Sequence, residues 1–566
     1  MADEQRRLEL LDAGGDPRTA VRAVFSWSYV HLPTEAARAF RLLGLHPGPD
    51  MDPYAAAALT HTSVQQTQHL LDLLARAHLV QPASLGRYGM HDLLRAYATH
   101  LTSAEDYEQE QWAALTRLFD HYLATAAAAM DALVPAEQHR RPRMPAPATS
   151  TPPVADPAAA QTWLDAERAT LAAVTAHTAS RGWPGHTTRL AATLFRYLEA
   201  GGHHPDALAM HAHALSAARQ TGDQASEAHA LTNLGVVYWR QCYYRQAADY
   251  QQQALALCRE IGDRVGEARA LSNLGLACRR QGCYQQAADH HQQALTLSRE
   301  IGDRVSEADA LSSLGTVYCW QGCYRQAADH HQQALALSRE IGHRVGEASA
   351  LDHLGTVYCW QGCYRQAADH HQQALALSRE IGYRVGEARA LDRLGAVYWR
   401  QGCYQQAADH HQQSLTLLRE IGDRDGEAHA LTNLGAVYQR QGLYQQAADH
   451  HQQALTLCRE IGDRAGEATA LNSVGDTHHA TEQLREARLQ HTAALTLATQ
   501  IGDRYEQARA HDGLARTHHA SGELDQTRHH WCHALALYTD LGVPEADDIL
   551  AHLAALDPAT GDDKED

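Results

Sequence analysis

Residues 308–347 read ADALSSLGTVYCWQGCYRQAADHHQQALALSREIGHRVGE, and the next 40 residues, 348–387, repeat them with four differences. The same period continues on both sides, because Ala268, Ala428 and Ala508 occupy the place of Ala308. A fixed period of this length is typical of a repeat array, in which each unit packs mainly against its neighbours. The period therefore decides the fold before any single motif is considered.

Each unit contains two amphipathic patterns separated by a short turn. Apolar and small residues from Leu231 to Tyr238 fall at helical spacing on one face, and a second pattern runs from Tyr244 to Ile261. The turn between them is Cys242-Tyr243. Gly262 is the predicted terminator of the second helix, and Asp263 is a candidate cap for the helix that follows. Each unit is therefore predicted to be a helical hairpin.

Small residues mark the positions where the two helices of a unit approach each other. The spacing of Gly235, Ala247 and Ala254, together with Leu234 and Tyr238, resembles the tetratricopeptide repeat. The resemblance is to its 40-residue variety, as in kinesin light chains. It implies an all-α fold, a right-handed superhelix whose concave groove binds peptides or proteins.

The stretches ahead of the repeats follow different patterns. "AVFSWSYVHLPTEAARAFRLLGL" and "SVQQTQHLLDLLARAHLV" predict short helices, and "HLVQPASLGRYGM" predicts a hairpin with Gly86 at its tip. Three helices and a hairpin suggest a winged helix. The stretch "YGMHDLLRAYA", in which Met90, His91 and Asp92 open a helix, resembles the Met-His-Asp motif of STAND-type (NB-ARC) regulators of actinobacteria.

The similarity to these regulators extends over roughly residues 8–225, because "LFDHYLATAAAAM" and "WLDAERATLAAV" resemble their connector. In the family the motif histidine, here His91, would contact the β-phosphate of ADP in a preceding nucleotide-binding domain. This chain begins after that domain should have ended, and its single lysine, Lys564, excludes a P-loop within it. The role of His91 would then need a separate nucleotide-binding chain. The alternative is a structural histidine at a helix start.

We expect four regions along the chain. They are a winged-helix-like region ending in the Met-His-Asp motif at 1–104, a helical connector at 105–187 with a Pro-rich loop at 138–157, about nine repeat units at 188–547 and a polar acidic tail at 548–566. The units at 188–227 and 468–547 are degenerate, as the end caps of a repeat array should be.

Composition restricts the partners. The net charge of −19 argues against broad attraction to nucleic acid, which depends on Lys and Arg displacing counterions. The eleven cysteines fit reduced thiols better than a disulfide framework, and no stretch is apolar enough for a signal peptide or a membrane helix. We therefore expect a cytoplasmic protein without membrane association.

The segment "CWQGCYRQAADHH", Cys319 to His331, looks like a set of four metal ligands. The repeats test this interpretation, because true ligands should recur together. The His pair recurs in five units, but both cysteines accompany it in only two. Adjacent helical residues also point about 100° apart. We expect no metal site and no cofactor here, with the second histidine of the pair packing at a helix interface.

Near-identical units differ mainly on the first helix, at the second, fifth, sixth, ninth, twelfth and thirteenth places, which the tetratricopeptide family directs toward the groove. We predict a partner-binding groove formed by the sixth-place residues Asn233, Asn273, Ser313, His353, Arg393 and Asn433 and the thirteenth-place residues Arg240, Arg280, Trp320, Trp360, Arg400 and Arg440. In the family an Asn at the sixth place binds peptide backbone. The alternative is neutral drift at solvent-facing positions.

Six arginines of the first helices favour an acidic peptide or a C-terminal carboxylate as the ligand: Arg279, Arg280, Arg389, Arg393, Arg400 and Arg440. We predict a protein-interaction scaffold in a regulatory or signal-transduction system and no enzymatic activity, since no catalytic constellation is recognisable. Two alternatives stay open: a nucleotide-gated regulator acting with a separate nucleotide-binding domain, and DNA binding by the winged helix. Against the latter, "MDPYAAAALTHTS", taken as the recognition helix, contains no Arg or Lys.

Overall fold

The computed structural model describes residues 25–84, 86–135, 141–142 and 149–556, which form two compact units, Met1–Asn233 and Leu234–Asp566. Residues 138–140 and 143–148 of the predicted Pro-rich loop, and residues 557–566 of the predicted acidic tail, lie outside the described residues. None of the described helices combines the length and the apolarity that crossing a bilayer demands.

The first unit opens with helical residues at 25–30 and the elements of a winged helix. These are α1 Thr34–Leu43, β1 Asp50–Met51, α2 Pro53–Thr60, α3 Val64–Arg76, β2 Gln81–Ser84 and β3 Arg87–Gly89. The sheet has the order β1-β3-β2 with antiparallel pairing, and Gly86 makes the tight turn with a φ of 75°. The predicted winged helix and hairpin are confirmed. Strand β1 was not predicted, because two residues are too few to show an alternating pattern.

Helix α2 is an internal helix of this fold. Every residue from Ala55 to Thr60 is buried. The sequence-based assignment of this stretch as the recognition helix is wrong, because a buried helix cannot enter a groove of DNA. The following helix, α3, holds the corresponding position, and its exposed residues are Gln65, Gln66, His69, Asp72 and Arg76.

The connector packs against the winged helix through an ion-pair network. Helix α4 Asp92–Glu105 ends the winged-helix region, and the connector contains α5 Glu108–Leu133 and α6 Pro157–Arg181. Arg87 of β3 donates from Nε to Asp50 Oδ1 at 2.9 Å and also pairs with Glu167 of α6, whose side chain is fully buried. Arg87 therefore joins the hairpin to the connector.

Helical hairpins make up the remainder of the chain. The helices that lead into the array are α7 Pro184–Ala200, α8 His204–Thr221 and α9 Gln224–Arg240. The array continues with α10 Tyr244–Ile261, α11 Arg264–Arg280, α12 Tyr284–Ile301, α13 Arg304–Trp320, α14 Tyr324–Glu340, α15 Arg344–Trp360, α16 Tyr364–Glu380, α17 Arg384–Arg400, α18 Tyr404–Ile421, α19 Arg424–Arg440, α20 Tyr444–Ile461, α21 Arg464–Ala480, α22 Leu484–Ile501, α23 Arg504–Ala520, α24 Leu524–Leu541 and α25 Glu545–Leu556. The all-α repeat fold is confirmed, and α10 has the bounds predicted for it.

A glycine on the first helix and a histidine on the second helix fix the packing within most units. A Cβ atom added to Gly315 would lie 2.7 Å from the imidazole ring of His331, which is 1% exposed. The same contact recurs between Gly355 and His371. The glycine is therefore required because the buried ring occupies the space of its missing side chain. Gln251 fills this space beneath Gly235 in an earlier unit.

The repeated link "SREIGDR" is explained by caps and ion pairs. Gly302 ends α12 with a φ of 74°, and the Asp303 side chain accepts a hydrogen bond from the Ser306 amide at 3.0 Å. Arg299 pairs with Glu307 at 2.8 Å, and Arg304 pairs with Glu340 of the next link at 2.9 Å. The predicted terminator and cap are confirmed in these links.

The array of the second unit coils until successive turns of the superhelix touch. Cys242 Sγ lies 3.7 Å from Asp463 Oδ1, although the two residues are 221 positions apart. Arg464 donates to the Tyr243 hydroxyl at 2.8 Å. Tyr244, which is 2% exposed, packs in a cluster with Ile501. The turn after α9 therefore lies against the start of α21 and the end of α22.

Candidate functional site: the concave face of the repeats

The first helices of the units lie on the inner side of the superhelix. Along the array α13 contacts α15, α15 contacts α17, and α19 contacts α21, each of them the first helix of its unit. Helices that are crowded together on one side of a curved array line its concave side. This surface, formed by the first helices of the second unit, is called the inner face below.

The thirteenth-place residues are all exposed at the ends of the first helices. Trp320 and Trp360 retain 37% and 36% of their surface. The Arg400 guanidinium lies over the Trp360 ring at 4.6 Å from its centroid, and Arg440 lies 5.7 Å from the Trp399 ring. The remaining members of this row are Arg240 and Arg280. The row thus has two indole side chains at its centre and two arginines on each side of them.

The sixth-place residues are less accessible. Arg393 is exposed, whereas the others are half-buried: Asn233, Asn273, Ser313, His353 and Asn433. Asn433 donates from Nδ2 to both carboxylate oxygens of Asp392, at 3.0 and 3.1 Å, and His353 Nδ1 lies 2.9 Å from the Ser312 hydroxyl. Two sixth-place side chains therefore already connect neighbouring units, a use that the sequence analysis did not foresee.

Acidic residues at the fifth place were missed by the sequence analysis. His371 Nδ1 donates to Asp352 at 2.9 Å, and His411 Nδ1 donates to Asp392 at 2.7 Å. Burial alone would raise the pKa of Asp352, but the His371 hydrogen bond and the charge of Arg389 hold it well below its usual range. The signal that could have revealed these pairs is the constant separation of 19 residues between the fifth place and the buried histidine.

Several arginines on the inner face have no carboxylate partner. Among the residues that the structure describes, none forms an ion pair within 4.0 Å with Arg279, Arg280, Arg393, Arg400 or Arg440. Burial and the neighbouring Arg280 lower the pKa of Arg279 to about 10. Burial opposes the charge of Arg280, but interactions with Tyr244 and Cys242, followed by those with Asp503 and Asp463, raise its pKa. The arginines of the links are by contrast paired, as Arg339 is with Glu347 at 2.8 Å.

The histidine of the Met-His-Asp stretch begins α4 in the first unit. His91 is exposed, and its Nδ1 accepts a hydrogen bond from the Leu93 amide at 3.3 Å as the N-cap of the helix. Met90 beside it is 5% exposed and belongs to the core. This geometry accounts for a histidine at the helix start, and a contact with a nucleotide phosphate stays a prediction.

The family model of the tetratricopeptide repeat matches residues 196–260, 227–300, 266–340, 306–359, 346–420 and 426–500, together more than half of the chain. The chain belongs to the tetratricopeptide repeat family. Its relatives include regulatory protein AfsR of Streptomyces coelicolor, 46% identical over 131 residues, and AfsR of Streptomyces griseus, 38% identical over 247 residues. These alignments cover 22% and 42% of this chain.

The chain spans only a small part of both relatives, 13% and 24% of their lengths. Both are regulatory proteins of Streptomyces, in agreement with the resemblance to actinobacterial regulators. Among solved structures, the STAND protein with a tetratricopeptide repeat sensor from Pyrococcus horikoshii aligns at 13% identity and a TM-score of 0.41, covering 94% of this chain and 66% of that one. A Rap protein complexed with competence and sporulation factor aligns at 14% identity and a TM-score of 0.42, covering 64% and 97%.

Proposed function

We propose that this protein is a non-enzymatic interaction scaffold of a cytoplasmic regulatory or signal-transduction system. Its inner face binds a peptide or protein segment that carries carboxylates, either acidic side chains or a free C-terminus. The array holds the segment in an extended or helical form along the first helices.

The observation that carries the proposal is a subset of inner-face arginines without a carboxylate partner, although others on this face are paired, as Arg389 is with Asp352 at 3.4 Å. In the links, guanidinium groups are neutralised by carboxylates of this chain, as in the pair of Arg379 with Glu387 at 2.8 Å. On the inner face Arg393, Arg400 and Arg440 lack such partners among the described residues. Guanidinium groups bind carboxylates with two parallel hydrogen bonds, so this surface favours an anionic segment although the chain is acidic as a whole.

Indole side chains supply the apolar part of the same surface. Trp320 and Trp360 lie in the central units and are about one-third exposed. Large aromatic side chains that are only partly covered are frequent anchors in interfaces. A bound segment that combines a carboxylate with an apolar residue would meet both features within neighbouring units.

The test is a charge reversal of Arg393→Glu with Arg400→Glu, measured by the fluorescence anisotropy of labelled acidic peptides that end in a free carboxylate. We expect at least a tenfold loss of affinity, because each reversal replaces an attraction by a repulsion. The matched control is Arg325→Glu with Arg365→Glu. These two exposed residues lie on second helices, outside the inner face. The change in net charge is the same, because both double variants replace two arginines by glutamates.

Equal losses of affinity in the two double variants would indicate a nonspecific effect of net charge and would contradict the proposal. Binding that is indifferent to both changes would contradict it as well. Amidation of the peptide C-terminus separates the two kinds of ligand, because only a ligand read through its terminal carboxylate loses affinity when amidated.

A further inference from the structure

Three potential metal ligands converge at the starts of two first helices. Asp425 and His429 lie one helical turn apart in α19, and Asp463 caps α21. One ligand atom from each of these residues lies within 4.8 Å of the other two. Imidazole and carboxylate groups are common ligands of Zn²⁺. The three residues come from two successive units, so no single unit contains the whole set.

Two buried thiols face the same carboxylate. Cys242 Sγ lies 3.7 Å from Asp463 Oδ1, and Cys458 Sγ lies 4.0 Å from Asp463 Oδ2. The two cysteines are 4% and 1% exposed. Burial, followed by the Asp463 charge, raises the pKa of Cys242 to about 12. A cation placed between the carboxylates and the thiol would reverse this effect, because a metal ion deprotonates the thiol that it binds.

The other repeat units show that these residues are substitutions within a nearly constant background. Asp425 stands where four units have valine, as at Val385. Cys242 stands where seven units have glycine, as at Gly282, and it adopts a φ of 62° that residues other than glycine rarely take. The two substitutions occur in distant units whose residues meet only through the contact between superhelical turns.

We propose that one divalent metal ion of the zinc type binds at this place and joins two successive turns of the superhelix, with ligands from Asp425, His429, Asp463 and Cys242. Binding releases the thiol proton of Cys242 to solvent and forms a metal–thiolate bond. Ligand atoms around tetrahedral zinc are about 3.3 to 3.5 Å apart at bond lengths of about 2.0 to 2.3 Å. The corresponding separations are 3.7 Å between Cys242 Sγ and Asp463 Oδ1, and within 4.8 Å among Asp425, His429 and Asp463. The charge of Arg280 also acts on Cys242 and Asp463, and Arg464 donates to the Tyr243 hydroxyl at 2.8 Å.

The proposed metal ion would connect two superhelical turns of the array. Asp425, His429 and Asp463 belong to the later superhelical turn. Cys242, in the loop before α10, belongs to the earlier superhelical turn. A bound ion therefore restricts the separation of the two turns, which sets the width of the space that the inner face encloses. Metal binding at this site does not require that the inner face binds a peptide.

The test is titration of the full chain with ZnCl₂ by calorimetry, and with Co²⁺ by absorption spectroscopy. The variants Asp425→Val and Cys242→Gly each restore the residue of other units, so both are compatible with the repeat fold. We expect one tight site in the parent chain, at least tenfold weaker zinc binding in both variants, and loss of the thiolate-to-cobalt charge-transfer band in Cys242→Gly.

Two controls separate this site from surface binding. His533→Gln removes an exposed histidine of α24, and Cys323→Gly removes an exposed thiol. Both controls should retain the tight site and the cobalt band. Unchanged zinc affinity in Asp425→Val would overturn the site. A cobalt band that persists in Cys242→Gly would overturn the link between the turns.

Discussion

The buried histidines of the array should make its stability fall in mild acid, and His291 shows why. Its side chain is fully buried beneath Gly275, and neither ring nitrogen has a hydrogen-bond partner. Burial, followed by the charge of Arg279, lowers its pKa from 6.5 to about 3. His451 is similar, with a pKa lowered by burial to about 4. The folded state therefore excludes a proton that the unfolded chain accepts below pH 6.5.

The size of the effect follows from proton linkage. The stability contributed by a group with a lowered pKa of this kind is fully present above its unfolded pKa of 6.5 and is lost as the pH falls toward the folded pKa. Between pH 7 and pH 5, each of the two histidines should cost about 2 kcal/mol of stability. The pair should cost about 4 kcal/mol if the two sites act independently.

The perturbation is His291→Gln with His451→Gln, because Gln251 already fills the same space in an earlier unit. Urea unfolding at pH 7 and pH 5, followed by circular dichroism, measures the change. We expect the parent chain to lose about 4 kcal/mol more than the double variant between the two pH values. The control His411→Gln removes a hydrogen bond to Asp392 and should lower stability at pH 7.

The same loss between pH 7 and pH 5 in the parent chain and in the double variant would refute this reasoning. It would mean that the two imidazoles bind protons as readily in the folded chain as in the unfolded chain. Hydrogen exchange of the backbone amides in α12 and α20 provides an independent measure, since the effect should be largest in the units that hold the two histidines.

Three further predictions concern packing and charge. Gly355→Ala places a Cβ 2.7 Å from the His371 ring and should cost about 1 to 3 kcal/mol in thermal unfolding; an unchanged melting temperature would contradict the packing. Arg87→Met leaves the buried Glu167 without its ion-pair partner and should destabilise the first unit by about 3 kcal/mol or more, seen as early melting of that unit. Arg339→Ala removes an exposed ion pair and should cost less than about 1 kcal/mol, an effect that high salt should abolish; a larger cost would show that the link pairs are structural.

The candidate site was predictable only in part. The exposure of the thirteenth-place row was predictable. The period places Trp320 and Arg400 at one position on the first helix, and neighbouring units differ at that position. The engagement of Asn433 by Asp392 was not predictable, since it depends on the distance between the first helices of two units. The same applies to His353, whose partner Ser312 belongs to the preceding unit.

The sequence by itself determined the helical hairpins, the period and the order of the units. Helix faces, caps and turns are set by residues only a few positions apart, so a local pattern such as that of Gly302 and Asp303 is sufficient. The tertiary structure alone decided which inner arginines lack carboxylates and that Cys242 meets Asp463. Contacts of this kind arise from the small rotation between neighbouring units summed over a whole superhelical turn, and no local pattern of residues encodes that sum.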